Sequence, residues 1–109
     1  MSRHDFSGLS AAERERLYLL LEECGETVQA VGKILRHGYE RFNPLMDDPP
    51  TNREDLEKEI GHVLRAVDFL VNAGDLSKTK IQIARMSRRV NKYLHHQPDD
   101  LGDTSWERR

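Results

Sequence analysis

The longest helical pattern in the sequence, residues 10–37, carries a group of carboxylates that have no nearby counter-charge. Glu22, Glu23 and Glu26 lie within five residues, and on a helix they project within an arc of about 100°. None of them has a lysine or arginine three or four residues away, where a helical ion pair would form. Because like charges one turn apart destabilise a helix, this pattern predicts a positive partner from outside the helix.

Three segments predict helices, and the fold is expected to be all-α. Ser10 with Glu13, and Thr51 with Glu54, form capping boxes that begin the first two helices. Apolar residues recur at helical spacing up to about His37 in the first and about residue 72 in the second. A third helix is expected over about residues 77–96.

The predicted core follows the apolar stripes of these helices. The side chains of the first helix that we expect to face the core are Leu17, Leu20, Leu21, Cys24, Val28, Val31, Ile34 and Leu35. Those of the second are Leu56, Ile60, Val63, Leu64, Val67, Leu70 and Val71, and those of the third are Ile83, Met86, Val90 and Leu94. A helical chain of 109 residues has a modest core, which such chains often complete by oligomerising. We therefore expect a bundle of three main helices per chain whose four-helix-type core is completed between subunits.

The chain divides into a frayed N-terminus at residues 1–9, a helical domain at 10–97 and a polar tail at 98–109. The tail is expected to be mobile or to pack on a neighbouring subunit. Residues 39–50, with three prolines and two aromatic residues, predict an ordered loop rather than a flexible linker.

Composition excludes several classes of function. The net charge of −2 makes a nucleic-acid partner unlikely for the chain as a whole. Residues 78–92 are basic and hold no acid, so they form either a solvated basic face or a site for an anion. The single cysteine, Cys24, excludes an internal disulfide and favours a reducing compartment, and we expect it to be a small core residue. With no signal peptide and no apolar run near 18 residues, we expect no membrane association and a cytoplasmic location.

A second group of candidate ligands lies on the second helix. Glu59 has no lysine or arginine three or four residues away, and His62 follows it at i+3, as Glu26 follows Glu23. If the two helices are antiparallel, the two pairs face each other. Convergent carboxylates between helices are suited to a hard cation such as Mg²⁺ or Mn²⁺. The alternative is a solvated acidic face.

The acidic motifs on the first two helices resemble those of a known protein family. The segment Glu22-Glu23-Cys24-Gly25-Glu26, followed by Val-Gln-Ala-Val-Gly-Lys-Ile-Leu-Arg-His-Gly, resembles the first helix of the MazG-like nucleotide pyrophosphohydrolases, the all-α NTP pyrophosphatases. That family has EExxE on one helix and ExxD on the next. Glu59-Ile60-Gly61-His62 stands where the second motif belongs, with histidine in the place of the aspartate. The likeness covers roughly residues 15–97.

The resemblance implies metal-dependent hydrolysis of a nucleoside triphosphate to the monophosphate and pyrophosphate, in a homodimer or homotetramer. Carried over by position, Glu23, Glu26 and Glu59 would bind Mg²⁺, or Mn²⁺. Glu22 would support the site or orient the attacking water, and the four glutamates would form the catalytic set. His62 would be a fourth ligand, a phosphate contact, or a residue without a role, and Asp55 could stand in for it.

The resemblance also indicates where the substrate binds. Lys33 and Arg36 are candidate contacts of the triphosphate, with a favourable interaction at the helix C-terminus as the alternative. Asn91 and Lys92 resemble family positions that contact the phosphates or the sugar.

Two other functions remain open from the sequence. The first is a non-catalytic helical module that binds nucleotide or a protein partner without turnover, an alternative that the histidine at position 62 supports. The second is a basic-helix nucleic-acid binder, which residues 78–92 alone suggest and the acidic remainder opposes.

Overall fold

The structure, a computed structural model, describes residues 6–98 and 101–102. Over these residues the chain is helical, and no β-strand forms among them. This confirms the predicted all-α class with three main helices. The elements are α1 (Ala11–His37), α2 (Asn52–Asn72), α3 (Lys78–Met86) and a short 3-10 helix (Arg89–Tyr93). They fall into two compact units, Met1–Ser77 and Lys78–Arg109.

Both predicted capping boxes are present. The Ser10 hydroxyl accepts the backbone N–H of Glu13 at 3.1 Å, and the Glu13 carboxylate accepts the N–H of Ser10 at 2.9 Å. Thr51 and Glu54 exchange the same pair of bonds, at 3.2 and 3.0 Å. Such reciprocal bonds satisfy amide donors that the first turn of a helix leaves free. They explain why α1 and α2 begin where the sequence predicts.

Contacts at both ends show that α1 and α2 are antiparallel. Near the start of α1, the Arg16 guanidinium donates two hydrogen bonds to the Asp75 carboxylate just after α2, at 2.6 and 3.1 Å. At the other end, the Asn52 side chain donates to the carbonyl of Gly38 at 3.1 Å. Gly38 has a φ of +89°, which glycine adopts without strain, and its N–H bonds to Ile34 as the helix ends.

The loop between α1 and α2 is tied to the start of α2. The N–H of Asn52 donates to Arg41 O at 2.8 Å, and the N–H of Arg53 to Tyr39 O at 2.9 Å. The Arg53 guanidinium bonds to Glu40 and lies 4.3 Å from the centre of the Tyr39 ring. These contacts fix the orientation of the loop without a packed core of its own.

The core of the first unit differs from the predicted one. Among the described residues of this unit, the buried apolar ones are Ala30, Ala66 and Leu70. Of the predicted stripe of α1, Leu20 and Ile34 are partly buried, whereas the others are exposed, namely Leu17, Leu21, Cys24, Val28, Val31 and Leu35. On α2, Ile60 and Leu64 are exposed too. The reason is rotational: each helix packs against the other through the flank of its stripe, where Ala30 and Ala66 allow close approach.

The second unit is also shorter in α-helix than predicted. The expected helix over 77–96 ends at Met86 and gives way to the 3-10 helix. All four side chains expected to face inward are exposed, namely Ile83, Met86, Val90 and Leu94. Arginines and lysines recur here three or four residues apart, which destabilises continuous α-helix. Ser87 accepts the N–H of Arg89 with its hydroxyl, an alternative to the helical backbone bond.

Two sequence expectations fall partly outside the described residues. The frayed N-terminus was expected over residues 1–9, of which 6–9 are described, and the tail over 98–109, of which 98 and 101–102 are described. None of the helices in the described ranges is both long enough and apolar enough to span a membrane.

Candidate functional site

Four side chains from α1 and α2 converge midway along the helix pair. Glu23 and Glu26 come from α1, and Glu59 and His62 come from α2; each contributes one donor atom, and all four atoms lie within 4.8 Å of one another. The i, i+3 spacing on both helices places each pair on one face, and the antiparallel packing turns the two faces together. The structure thus brings together the four residues that the sequence nominated as metal ligands.

The imidazole of His62 is part of this cluster. Its Nδ1 atom lies 3.3 Å from Glu23 Oε2 and 3.7 Å from Glu59 Oε2. The Glu23 and Glu59 side chains are 14% and 10% exposed, whereas that of His62 is 52% exposed. His62 therefore contacts the carboxylates with one edge and leaves much of its ring accessible to solvent.

Two oxygens in the cluster lack hydrogen bonds. Glu23 Oε2 and Glu59 Oε2 are buried, and neither has a hydrogen-bond partner among the described residues. An unsatisfied buried oxygen costs roughly 1–3 kcal/mol, and more when it is charged. The cluster therefore has donor atoms that could hold a metal ion, and a bound ion would supply the missing interaction.

The carboxyl groups of Glu26 and Glu59 are also close enough to share a proton. A hydrogen bond to Glu59 and the negative charge of that group raise the pKa of Glu26. Burial acts to raise the pKa of Glu59 as well, but the hydrogen bond from Glu26 and the ammonium of Lys58 outweigh burial and lower it. The fold thus favours a charged Glu59 beside a Glu26 whose raised pKa keeps it protonated to higher pH than an ordinary glutamate.

Lys58 is a counter-charge that the sequence pattern did not reveal. Its Nζ atom lies 3.4 Å from Glu59 Oε1. Glu59 was expected to lack a cationic partner because helical ion pairs form at i+3 and i+4. That expectation was wrong, because the long lysine side chain reaches its immediate neighbour instead.

A cleft of about 280 Å³ opens beside the cluster, between α1 and α2. Its charged lining residues are the acids Glu26, Asp55 and Glu59 and the lysines Lys33 and Lys58. The remaining lining residues are Gln29, Ala30 and Asn52. The cleft therefore adjoins the candidate cation site and offers both positive charge and amide groups.

The remaining predicted site residues are placed as follows. Glu22 is exposed and lies outside the cluster, although its charge contributes to the raised pKa of Glu26. The Arg36 guanidinium folds back over Gly32, with Nη1 3.5 Å from the position that a Cβ at residue 32 would take. Asn91 and Lys92 lie in the 3-10 helix of the second unit, not on a third α-helix, and the Lys92 ammonium lies 5.1 Å from the Tyr93 ring centre.

Asn52, Gln29 and Lys58 belong to the cleft but were not predicted as site residues. Asn52 is buried at the first position of α2, where its side-chain amide donates a hydrogen bond to the Gly38 carbonyl. Predicting Asn52 as a site residue would have required knowing that the end of α1 lies beside the start of α2. Asp55, named from the sequence as a possible substitute ligand, lines the cleft but is not one of the four clustered residues.

Together, the helix pair and its cluster define an all-α protein with a carboxylate–histidine cluster that could hold a metal ion, beside a cleft of mixed charge. The chain matches the family described as the MazG nucleotide pyrophosphohydrolase domain over residues 12–100. The match covers most of the chain, and the protein belongs to this family. It confirms the resemblance carried by the two acidic motifs. Comparison with the curated proteins and with the solved structures finds no match.

The raised pKa of Glu26 predicts that the metal-free protein gains stability from Glu26→Gln. Glutamine keeps a donor toward Glu59 but carries no charge. In the parent, the stability associated with neutral Glu26 is fully present below the ordinary glutamate pKa of about 4.3 and is lost as the pH rises through the raised value. The variant should therefore unfold at higher denaturant concentration than the parent at pH 8, with a smaller difference at pH 4.

Urea unfolding in the presence of a chelator, followed by circular dichroism, measures this difference. The matched control is Glu57→Gln, which removes an exposed carboxylate of α2 outside the cluster. An E26Q protein less stable than the parent at pH 8 would show that the cluster is not electrostatically strained.

Proposed function

We propose that this protein hydrolyses nucleoside triphosphates or deoxynucleoside triphosphates to the monophosphate and pyrophosphate, using a divalent metal ion. The observation that carries the proposal is the pair of buried carboxylate oxygens, on Glu23 and Glu59, that accept no hydrogen bond from the described residues. Membership of a nucleotide pyrophosphohydrolase family supports the reaction class.

The residues present fit a divalent cation such as Mg²⁺ or Mn²⁺. Glu23, Glu26 and Glu59 supply carboxylate oxygens, the ligands that hard cations prefer, and His62 supplies a nitrogen. When bound, the ion neutralises charge on the phosphate oxygens and polarises a water molecule. These four residues would hold it between α1 and α2.

Other residues of the chain would bind the phosphates and orient the attacking water. Lys33 and Lys58 would attract and hold phosphate oxygens in the cleft, since both line it. Glu22, which is exposed and lies outside the cluster, would orient the attacking water by accepting a hydrogen bond from it. We keep Arg36, Asn91 and Lys92 as proposed substrate contacts, with a role for Asn91 and Lys92 at the phosphates or the sugar.

We also propose that the protein forms a homodimer or homotetramer through the exposed stripe of α1. The stripe residues alternate at intervals of four and three, the spacing of helices that pack side by side. Their order along the helix is Leu17, Leu21, Cys24, Val28, Val31 and Leu35. A second copy of α1 offers the same spacing, so a symmetric contact would cover both stripes at once.

The competing function is a non-catalytic nucleotide-binding or helical interaction module. The observation that favours it is His62, which stands where the family motif has an aspartate. Replacing a carboxylate by an imidazole lowers the negative charge that would hold Mg²⁺. Nucleotide binding without product would support this reading over hydrolysis.

A cytoplasmic location stays a prediction from the sequence.

The hydrolase proposal predicts release of pyrophosphate, not orthophosphate, from a panel of ribo- and deoxynucleoside triphosphates with Mg²⁺ or Mn²⁺. Glu23→Gln should lower kcat/KM by about a thousandfold, because loss of a metal ligand removes several kcal/mol of transition-state stabilisation. Glu22→Gln should cause a smaller loss. Product analysis by ion-exchange chromatography measures both, with Glu57→Gln as the control. A parent protein that forms no product with any nucleotide and either metal would refute hydrolysis.

Lys33 provides a separate test of the cleft as the phosphate-binding site. Lys33→Ala should raise KM by about tenfold or more with a smaller effect on kcat, because hydrogen bonds to charged groups contribute roughly 1.5–3 kcal/mol. Lys33→Arg should recover most of the affinity. The control is Arg65→Ala, on α2 outside the cleft. An unchanged KM in K33A would place the triphosphate elsewhere.

The assembly proposal predicts that analytical ultracentrifugation finds the parent as a dimer or larger. The double variant Leu21→Glu/Val28→Glu should sediment as a monomer and keep its helical circular dichroism, because both side chains are already exposed in the single chain. Leu45→Glu, at a loop position that is 93% exposed, is the control. A parent that stays monomeric at high concentration would contradict the contact.

A further inference from the structure

The carboxylate cluster has a mixed donor set, and the nitrogen in it comes from His62. The Nδ1 atom of His62 faces the same two carboxylate oxygens, Glu23 Oε2 and Glu59 Oε2, that accept no hydrogen bond from the described residues. Only 8% of Glu59 is exposed, and its Oε2 atom is buried. This oxygen therefore faces the cluster and not the solvent. A cation that satisfies these oxygens would therefore also meet the imidazole nitrogen.

The chemistry of that donor set separates Mg²⁺ from first-row transition metals. Mg²⁺ binds oxygen ligands in strict octahedral geometry and gives up its water reluctantly, so an imidazole adds little to its binding. Mn²⁺ accepts carboxylate oxygens as Mg²⁺ does, but it belongs to the first-row transition metals, for which imidazole is a common ligand, although it binds nitrogen more weakly than Zn²⁺ does. In addition, a neutral histidine gives the cluster one negative charge fewer than an aspartate would, which weakens the electrostatic attraction for any divalent ion.

We propose that His62 is a direct metal ligand that makes this site select Mn²⁺ over Mg²⁺. The inference rests on the proposed function, in that it takes the cluster to be the metal site of the enzyme. It goes further by assigning the preference for the ion to a single side chain. The oxygens of Glu23, Glu26 and Glu59 bind either ion, and the nitrogen of His62 distinguishes them.

Metal binding without nucleotide tests the selection directly. Electron paramagnetic resonance of free Mn²⁺ gives the Mn²⁺ affinity, and competition by Mg²⁺ gives the second affinity. The parent should bind Mn²⁺ more tightly than Mg²⁺. His62→Asn should weaken Mn²⁺ binding by about tenfold or more, since loss of even a supporting group at a metal site costs roughly ten- to hundredfold, and it should leave Mg²⁺ binding little changed. His62→Asp should strengthen Mg²⁺ binding and reduce the preference.

A spectroscopic signature identifies the ligand independently of affinity. Pulsed electron paramagnetic resonance of the bound Mn²⁺ should show coupling to one imidazole ¹⁴N nucleus, which changes to the ¹⁵N pattern when the protein is made with ¹⁵N-histidine. The coupling should disappear in His62→Asn and persist in His37→Asn, at the last residue of α1. Because the side chain of His62 is half-exposed, the variants should fold, and circular dichroism checks that they do.

The outcomes separate this inference from the proposed hydrolysis. Bound Mn²⁺ without nitrogen coupling, or an equal loss of both ions in His62→Asn, would overturn the role of His62 even if pyrophosphate is released. Nitrogen coupling from His62 with no product from any nucleotide would support the site and refute the hydrolase. Failure of the parent to bind either ion would overturn both.

Discussion

The burial of like-charged carboxylates between α1 and α2 is the constraint on which the rest of the structure depends. Glu23 and Glu59 are mostly buried from opposite helices, and each keeps one oxygen without a hydrogen bond from the described residues. Such an arrangement opposes the packing of the two helices. The Arg16–Asp75 pair at one end and the Asn52–Gly38 bond at the other hold the helices together despite it. The centre of the helix pair thereby keeps a cluster that could hold a metal ion.

The same geometry explains why so much apolar surface remains exposed. Because each helix presents its flank to the other, the small residues Ala30 and Ala66 are buried while the large residues Leu21 and Val28 are not. A chain with few buried apolar residues gains little stability from its own core. Both the buried acidic centre and the exposed stripe of α1 thus follow from the way the two helices are rotated about their axes. The metal binding and the assembly that we propose therefore depend on the same packing.

The charge pattern of the cleft follows from the same packing. The carboxylates of Glu26, Asp55 and Glu59 line the cleft together with the ammonium groups of Lys33 and Lys58, and Lys58 is paired with Glu59. A triphosphate accompanied by a divalent ion carries both kinds of charge. Complementary charges on one surface favour such a ligand over a free anion or a free cation.

The sequence by itself determined α1 and α2 and nominated the cluster. Capping boxes, helical periodicity and i, i+3 acidic pairs are local patterns, so they predicted α1, α2 and the grouping of Glu23, Glu26, Glu59 and His62. The rotation of the helices about their axes was decided only by the tertiary structure, because two broad apolar stripes can pack in more than one way. The reach of Lys58 to Glu59 and the place of Asn52 in the cleft likewise depend on how the chain returns after α1. Local spacing fixes which residues share a helix face, whereas the face that is buried depends on contacts distant in the sequence.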